Sequence, residues 1–383
     1  MATLGLGPGN AASAHGAGRR LRRVLSEARE QVAALVGARP AEIVFTSGAS
    51  ESNALAVRGA LRARAAAERV LVTTEAEHDG LLALADALAA EGVDVRVGPV
   101  GPAGRFDPVA IAAQVPATGA VVAATLAQSV TGVLEDVPWL ARALGGLPGV
   151  LHVDGAQAVG RVPVDVAALG ADLFGFSGHK LGAPHGIGVL VVREGTPFAP
   201  PGGDAAQERG RRAGTEAVAL AAALGAAARV AAAAVAATAS HARDVLAPLD
   251  AFLAETPHAS LVTTEPALPT TRLVCFAGRR ADTLLAALDA CGVRVSAGSA
   301  CASGARTPPR VLRASGMCDA DAAACVRFSV GRETTRADVA HAVAHLRRVL
   351  ARALRAPPTG YVDVKKSSPR NCSSAGGATA RDA

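Results

Sequence analysis

The chain has 383 residues, half of them hydrophobic and 19% charged, and it is long enough to bury a large core in two domains. The net charge of +6 comes from scattered arginines, and the ten aromatic residues (one Trp, one Tyr and eight Phe) form no stripe with basic residues, which argues against direct nucleic-acid binding. The six cysteines lack zinc-ligand spacing, which argues against a metal site of that kind.

The compartment is inferred from two segments. The N-terminus lacks the basic region and apolar run of a signal peptide. Residues 217–238 are apolar and rich in alanine, but Arg229 interrupts them and alanine is a weak membrane anchor, so we expect a buried helix of a soluble protein and no membrane span. We therefore expect a cytoplasmic protein, in which a cysteine is more often catalytic than cross-linked.

In chain order, a loop rich in Gly, Ala and Ser (1–18) is followed by a helix that the apolar spacing predicts over residues 19–36. Short apolar runs then alternate with helical stretches, which predicts a large α/β domain with a mainly parallel seven-stranded sheet over residues 19–246. The seven runs are 43–46, 70–73, 93–97, 120–125, 150–153, 173–176 and 187–192.

A long helix over about 216–246 leads into a smaller α+β domain, predicted over residues 247–355. Its predicted strands are 272–276, 293–296 and 326–330, and its last helix is 336–354. The polar tail after it, residues 356–383, is expected to be disordered.

Lysine is almost absent from the chain. Of 39 Lys and Arg residues, only Lys180, Lys365 and Lys366 are lysines. Arginine serves as well as lysine for a surface charge, but it does not lose its proton near neutral pH. A desolvated lysine amine can form a Schiff base with a carbonyl, including that of pyridoxal 5'-phosphate (PLP). Lys180 is therefore either a chance surface lysine or a cofactor lysine, and its surroundings favour the second interpretation.

Polar clusters follow three of the predicted strands, where ligands bind in parallel sheets. Ser47–Ser50 could present N–H groups to a phosphate, although ordinary helix N-caps have the same composition. Asp154 follows a buried strand and needs a partner such as a protonated pyridine nitrogen, or else it caps the next helix. Gln157 could reach the same ring from the side, and Ser177–Lys180 forms the third cluster.

Two residues of the predicted small domain have the character of site residues. Cys301 lies in a polar, Gly- and Ser-rich loop, where a thiolate would have the access that a nucleophile needs. Arg327 is a charged residue in a predicted half-buried strand, and such an arginine often pairs with a carboxylate of the protein or of a substrate.

Together these motifs resemble the PLP-dependent cysteine desulfurases of the class V aminotransferase family (fold-type I, with a long cysteine loop). The resemblance extends from about Gly9 to about Leu350. Its motifs, in the family's order, are Ser47–Ser52, Glu77-His78, His152–Gln157, Ser177–Lys180 with Gly186–Gly188, Gln207–Thr215, Gly298–Cys301 and Arg327–Ser329.

The resemblance implies a role for each matched position. Lys180 would bind PLP as a Schiff base, His78 would stack on the ring and assist proton transfer, Asp154 would hold the pyridinium nitrogen and Gln157 the phenolic oxygen. The phosphate would be held at the start of the helix after Gly48. The residues implied there are Ala49, Ser50, Ser177 and His179, with Thr215 from the neighbouring subunit of a homodimer.

For the reaction, the resemblance implies that Arg327 binds the carboxylate of L-cysteine and that Cys301 attacks the substrate sulfur. The products would be L-alanine and a persulfide on Cys301, which passes to an acceptor such as an iron–sulfur scaffold, a thiolation enzyme or a carrier protein. Ser129 stands where the family has an asparagine that contacts cofactor or substrate, and a shorter hydroxyl cannot span the same gap unaided.

Two further departures are visible. The family's N-terminal strand has no counterpart before Gly9, and the run Gly202–Ala206 is longer than the family pattern. These departures keep three alternatives open: a selenocysteine lyase, another class V aminotransferase-like enzyme of secondary metabolism, and a non-catalytic scaffold.

Overall fold

The computed structural model describes residues 9–202, 207–297 and 308–353, and its larger sheet has seven strands. Each predicted strand of this sheet agrees with the structure to within one residue at both ends. In spatial order the strands are β1 (Ile43–Thr46), β7 (Gly188–Val192), β6 (Leu173–Ser177), β5 (Gly149–Asp154), β4 (Ala120–Thr125), β2 (Val70–Thr74) and β3 (Asp94–Gly98).

The sheet is mainly parallel, as predicted, with one reversed strand. Strand β7 runs antiparallel to both of its neighbours, β1 and β6. The other four pairings, among β6, β5, β4, β2 and β3, are parallel. The carboxyl ends of β1, β2, β4, β5 and β6 therefore meet at one edge of the sheet.

Helices cover both faces of this sheet, which explains why its central strands are continuous apolar runs. The helices of the large domain are α1 (Gly16–Val36), α2 (Ala49–Arg62), α3 (Asp79–Ala90), α4 (Pro108–Ala112), α5 (Val137–Ala143) and the first part of α6 (Val218–Ala254). Residues of α1 and α6, such as Val32 and Leu224, pack on one face, and residues of α2 and α3, such as Leu55 and Leu81, pack on the other.

The smaller sheet has four antiparallel strands. In spatial order they are β10 (Ser296–Ala297), β11 (Cys325–Ser329), β9 (Thr271–Phe276) and β8 (Ala259–Leu261), and the helices beside them are α7 (Ala281–Asp289), α8 (Arg310–Ala314), α9 (Asp319–Ala322) and α10 (Arg336–Ala353). The second half of α6 packs with α7 and α10 around a separate core that includes Val245, Leu284 and Leu346.

Three predicted boundaries differ from the structure. Helix α1 begins at Gly16, inside the predicted loop 1–18, because the side chain of His15 accepts a hydrogen bond from the Gly18 N–H and caps it. The boundary predicted at 246 falls inside α6, which continues to Ala254 because its residues contribute to both cores. The strand predicted over 293–296 was wrong at residues 293–295: the strand found there, β10, is Ser296–Ala297 and shares only Ser296 with the prediction.

Helix α6 is, by length and composition alone, the one candidate for a membrane span in the described ranges. The expectation of a buried helix holds for one face only. Ala221, Leu224, Ala228 and Ala231 are buried, whereas Val230 between them is 43% exposed. The helix therefore packs on the domain through one narrow face.

Candidate active site

A cavity of about 450 Å³ opens where the carboxyl ends of the parallel strands meet. Of the twelve residues that the sequence nominated, ten line it, namely Ala49, Ser50, His78, Ser129, Asp154, Gln157, Ser177, His179, Lys180 and Arg327. The remaining two nominated residues, Thr215 and Cys301, are not among the described residues that line the cavity. Thr215 is exposed and does not line this cavity, and Cys301 lies outside the described residues.

Asp154 forms the buried floor of the cavity. Its Oδ2 accepts a hydrogen bond from Asn53 Nδ2 at 2.7 Å, and its Oδ1 accepts one from the Ala156 N–H at 2.8 Å. Burial raises the pKa of Asp154, while the two hydrogen bonds and the charge of His78 oppose that shift. Oδ1 of Asp154 therefore caps the turn that follows β5, as one of the two interpretations predicted. A capping carboxylate does not need to be buried, so the burial of Asp154 also favours a second role.

His152 fixes the orientation of Asn53. Its Nε2 lies 3.0 Å from Asn53 Oδ1, and burial lowers the pKa of His152 to about 4, so the ring is neutral at physiological pH. A neutral ring with its proton on Nε2 donates to Asn53 Oδ1, which leaves Asn53 Nδ2 to donate to Asp154. Sequence analysis did not find Asn53, because its partners lie about a hundred residues away.

The start of helix α2, which also lines the cavity, is suited to a phosphate. Helix α2 begins after Gly48 without a side-chain cap, so the first N–H groups of the helix are left to a ligand. Ser177 Oγ lies 2.7 Å from His179 Nδ1 beside it. Glu51 would repel an anion there, but Arg212 binds its carboxylate at 2.8 Å.

His78 and Lys180 line the same cavity. His78 is the N-cap of α3, and its Nδ1 accepts a hydrogen bond from the Gly80 N–H at 3.0 Å, so the proton of a neutral ring is on Nε2. Lys180 lies in the turn that follows β6. The sequence led us to expect a desolvated lysine, but in the single chain Lys180 is exposed.

Arg161, which sequence analysis missed, holds Gln157. Its Nη1 donates to Gln157 Oε1 at 2.9 Å and to the Gln157 backbone carbonyl. Because guanidinium has only donors, the amide oxygen must face Arg161, and the amide Nε2 is left for the cavity. This orientation suits the predicted bond from Gln157 to a phenolic oxygen.

Arg327 and Ser129 join the two domains at the rim. Arg327, half-buried on β11, donates from Nη1 to the backbone carbonyl of Ser129. The adjacent Gln128 is used structurally: its Oε1 accepts from the Thr131 N–H and its Nε2 donates to the Ala76 carbonyl. The contact that the structure shows for Ser129 is therefore made by its backbone and not by its hydroxyl.

The cavity fits PLP in its chemistry. A buried carboxylate with two donors needs a cationic partner, which a protonated pyridine nitrogen supplies. The uncapped N-terminus of α2 suits a phosphate. Lys180 is the one lysine in the described ranges, and it lines the same cavity.

Comparison with known proteins agrees with this chemistry. The aminotransferase class-V family matches residues 6–341. The cysteine desulfurase NifS of Azotobacter vinelandii is 36% identical over 91% of this chain and 88% of its own, and a cysteine desulfurase of Cereibacter sphaeroides is 37% identical over 93% and 92%. The crystal structure of DndA from Streptomyces lividans superposes with a TM-score of 0.71 at 34% identity, covering 84% of this chain and 91% of that one.

These similarities extend over nearly the whole chain, and they confirm the resemblance, the fold class and the cofactor that the sequence predicted. The chain therefore belongs to the aminotransferase class-V family and, within it, to the PLP-dependent cysteine desulfurases.

Proposed function

We propose that the protein converts L-cysteine to L-alanine and passes the sulfur, as a persulfide on Cys301, to an acceptor protein. The observation that carries this proposal is that Lys180, Asp154 and Arg327, from three separate parts of the chain, line one cavity. Bound PLP supplies the electron-withdrawing ring that makes loss of the Cα proton of an amino acid possible.

The residues of the chain would prepare that step. Asp154, held by Asn53, would keep the pyridine nitrogen protonated, and the Lys180 amine would anchor the cofactor carbonyl. His78 would stack on the ring and help to move the Cα proton, and the hydrogen bond from the Gly80 N–H to its Nδ1 holds the imidazole in a fixed orientation.

Arg327 would bind the carboxylate of the substrate. One of its five N–H donors binds the Ser129 carbonyl, which orients the guanidinium, and a guanidinium can pair with a carboxylate through two parallel hydrogen bonds. The Cys301 thiolate would then attack the substrate sulfur. An S–S bond forms as the C–S bond of the substrate breaks, and protonation of the remaining carbon skeleton yields alanine.

The test is an assay of alanine and sulfide after addition of L-cysteine, with the visible absorbance of bound PLP followed in parallel. Cys301→Ala should abolish sulfide and persulfide formation and leave the PLP absorbance intact. Cys318→Ala is the matched control, because Cys318 is a free and exposed cysteine that does not line the cavity. Turnover of L-cysteine by Cys301→Ala at the unmodified rate would exclude the persulfide mechanism.

We further propose a cytoplasmic homodimer that delivers sulfur to an iron–sulfur scaffold or a thiolation enzyme. Two observations support a dimer: Lys180 is exposed in the single chain, and Thr215 is exposed and away from the cavity of its own chain. In a dimer, Thr215 could complete the neighbouring phosphate site. Sedimentation analysis tests this, and a monomer that turns over L-cysteine at full rate would contradict it.

A further inference from the structure

A second buried carboxyl lies beside Asp154 at the cavity floor. Glu77 lines the cavity and is 3% exposed. Its Oε1 accepts hydrogen bonds from the Thr125 N–H at 2.8 Å and from the Thr74 hydroxyl at 3.1 Å. Its Oε2 is buried and has no hydrogen-bond partner among the described residues.

The sheet register brings Glu77 and Asp154 together. Thr125, whose N–H binds Glu77, is the direct partner of Asp154 across the parallel pair β4–β5. The two carboxyls therefore approach the same edge of the sheet, and an ionised Glu77 would place a second negative charge next to Asp154.

The charged groups around Glu77 disfavour its ionisation. Asp154 on β5 acts on it as a negative charge, and Glu135, which precedes α5, does so above the raised pKa of Glu135, about 8. The positive groups nearby act on those neighbours, His78 on Asp154 and Arg105 on Glu135. Burial first, and then the charge of Asp154, raise the pKa of Glu77 well above its ordinary value, against the two hydrogen bonds at Oε1.

The hydrogen bonds decide which of the two acids holds the proton. Asp154 receives a donor at each oxygen, from Asn53 and from Ala156, as a carboxylate prefers. Glu77 receives donors at Oε1 alone, and an ionised Oε2 without a donor would be costly in the interior. A protonated Oε2 is a hydroxyl, which can donate into the cavity.

We propose that Glu77 is a positioning residue that stays protonated, so that Asp154 is the single anion at the cavity floor. The inference rests on the proposed function for its purpose, because the pyridine nitrogen of PLP requires one ionised carboxylate there. Its physical content, a neutral buried glutamic acid, is independent of any reaction.

The first test compares the full-length protein with Glu77→Gln, without added PLP, by urea unfolding from pH 5 to 9. A raised pKa in the folded state costs stability as pH rises from the ordinary value of 4.5 towards the folded value. Glutamine has nearly the same shape as glutamic acid, but its side chain does not titrate between pH 5 and 9. The folding constant of Glu77→Gln relative to the unmodified protein should therefore rise about tenfold per pH unit.

Glu135→Gln is the matched control. Burial raises the pKa of Glu135 to about 8, and Glu135 does not line the cavity, so its relative folding constant should stop rising near that pH. If the profiles of Glu77→Gln and the unmodified protein are parallel over the whole range, Glu77 is ionised and the proposal is wrong. Should Glu77→Gln not fold, infrared spectra of Glu135→Gln labelled with ¹³C-glutamate decide: a protonated glutamic carboxyl above pH 8 supports the proposal, and its absence overturns it.

The second test is PLP affinity, measured by titration of the visible absorbance. Glu77→Gln should bind PLP within about threefold of the unmodified protein, because both side chains are neutral. A loss of tenfold or more would mean that the cofactor needs an ionised Glu77, which overturns the proposal. Neither readout uses L-cysteine, so a failure of the desulfurase assay leaves both results interpretable.

Discussion

Substitution of Asn53 tests whether a residue that takes no part in the reaction sets the affinity for PLP through its hydrogen bond to Asp154. It is 5% exposed on α2, donates to Asp154 Oδ2 at 2.7 Å and lies 3.0 Å from His152 Nε2. Asn53→Ala removes the donor from Asp154 and leaves His152 without its amide partner. The direct effect is on the floor of the cavity.

The expected magnitude follows from the charge of the acceptor. A hydrogen bond to a charged group contributes about 1.5–3 kcal/mol. If the same free energy is lost from the binding of PLP, through a weaker interaction between the Asp154 carboxylate and the pyridinium nitrogen, PLP affinity should fall about 10- to 100-fold. Removing a donor also raises the pKa of Asp154 further, so the loss of affinity should begin at a higher pH on the acid side than in the unmodified protein.

The assay is the dissociation constant of PLP from pH 5 to 8, followed by visible absorbance. Ser52→Ala is the control, because Ser52 is buried on the same turn but binds the Val189 carbonyl, away from Asp154. A loss below threefold for Asn53→Ala, or an equal loss for Ser52→Ala, would show that the hydrogen bond to Asp154 does not tune the site.

Two further predictions concern residues that do not line the cavity. Glu208→Ala leaves Arg29 buried without its partner at 2.7 Å, which should lower the free energy of unfolding by about 3–5 kcal/mol in urea, and an effect below 1 kcal/mol would contradict this. Arg161→Met frees the Gln157 amide to rotate and should shift the absorbance maximum of bound PLP and its pH titration. Arg161→Lys should restore part of the shift; an unchanged spectrum in Arg161→Met would refute the positioning role.

Six strands of the large sheet could be predicted almost to the residue because they are buried along nearly their whole length and are apolar runs in the sequence. The edge strand β3 (Asp94–Gly98) is mostly exposed or half-buried and mixes apolar with charged residues. In the small sheet, the predictions for β9 and β11 also agree with the structure to within one residue, but β8 (Ala259–Leu261) was missed. It is an edge strand with Leu261 48% exposed and no clear apolar pattern. The end of α6 was missed for a related reason. A helix shared by two cores shows no break in its apolar pattern at the domain boundary.

Ten of the twelve nominated site residues share a cavity, mainly because strand ends of a parallel sheet meet at one edge, which a sequence can indicate. Their roles in the reaction stay predictions. The residues that hold them were harder to find, because Asn53 and Asp154 are far apart in sequence. His152 and Glu77 could be noticed in the sequence, because each is a polar residue within or just after a buried apolar run. Only the structure shows their hydrogen-bond partners, which are Asn53 for His152 and the Thr125 N–H for Glu77.

The reversed strand β7 explains why the phosphate end of the cavity forms at all. Gly188, its first residue, pairs with Thr46 at the end of β1 and with Ser177 at the end of β6. Two strands that flank an antiparallel third are parallel to each other, so the loop Ser47–Ser50 and the residues after Ser177 emerge side by side although about 130 residues separate them. A Cβ on Gly188 would lie 2.5 Å from the Gly48 Cα, so only glycine allows the start of α2 to come this close. The phosphate end therefore depends on one glycine in a strand that contributes no ligand of its own.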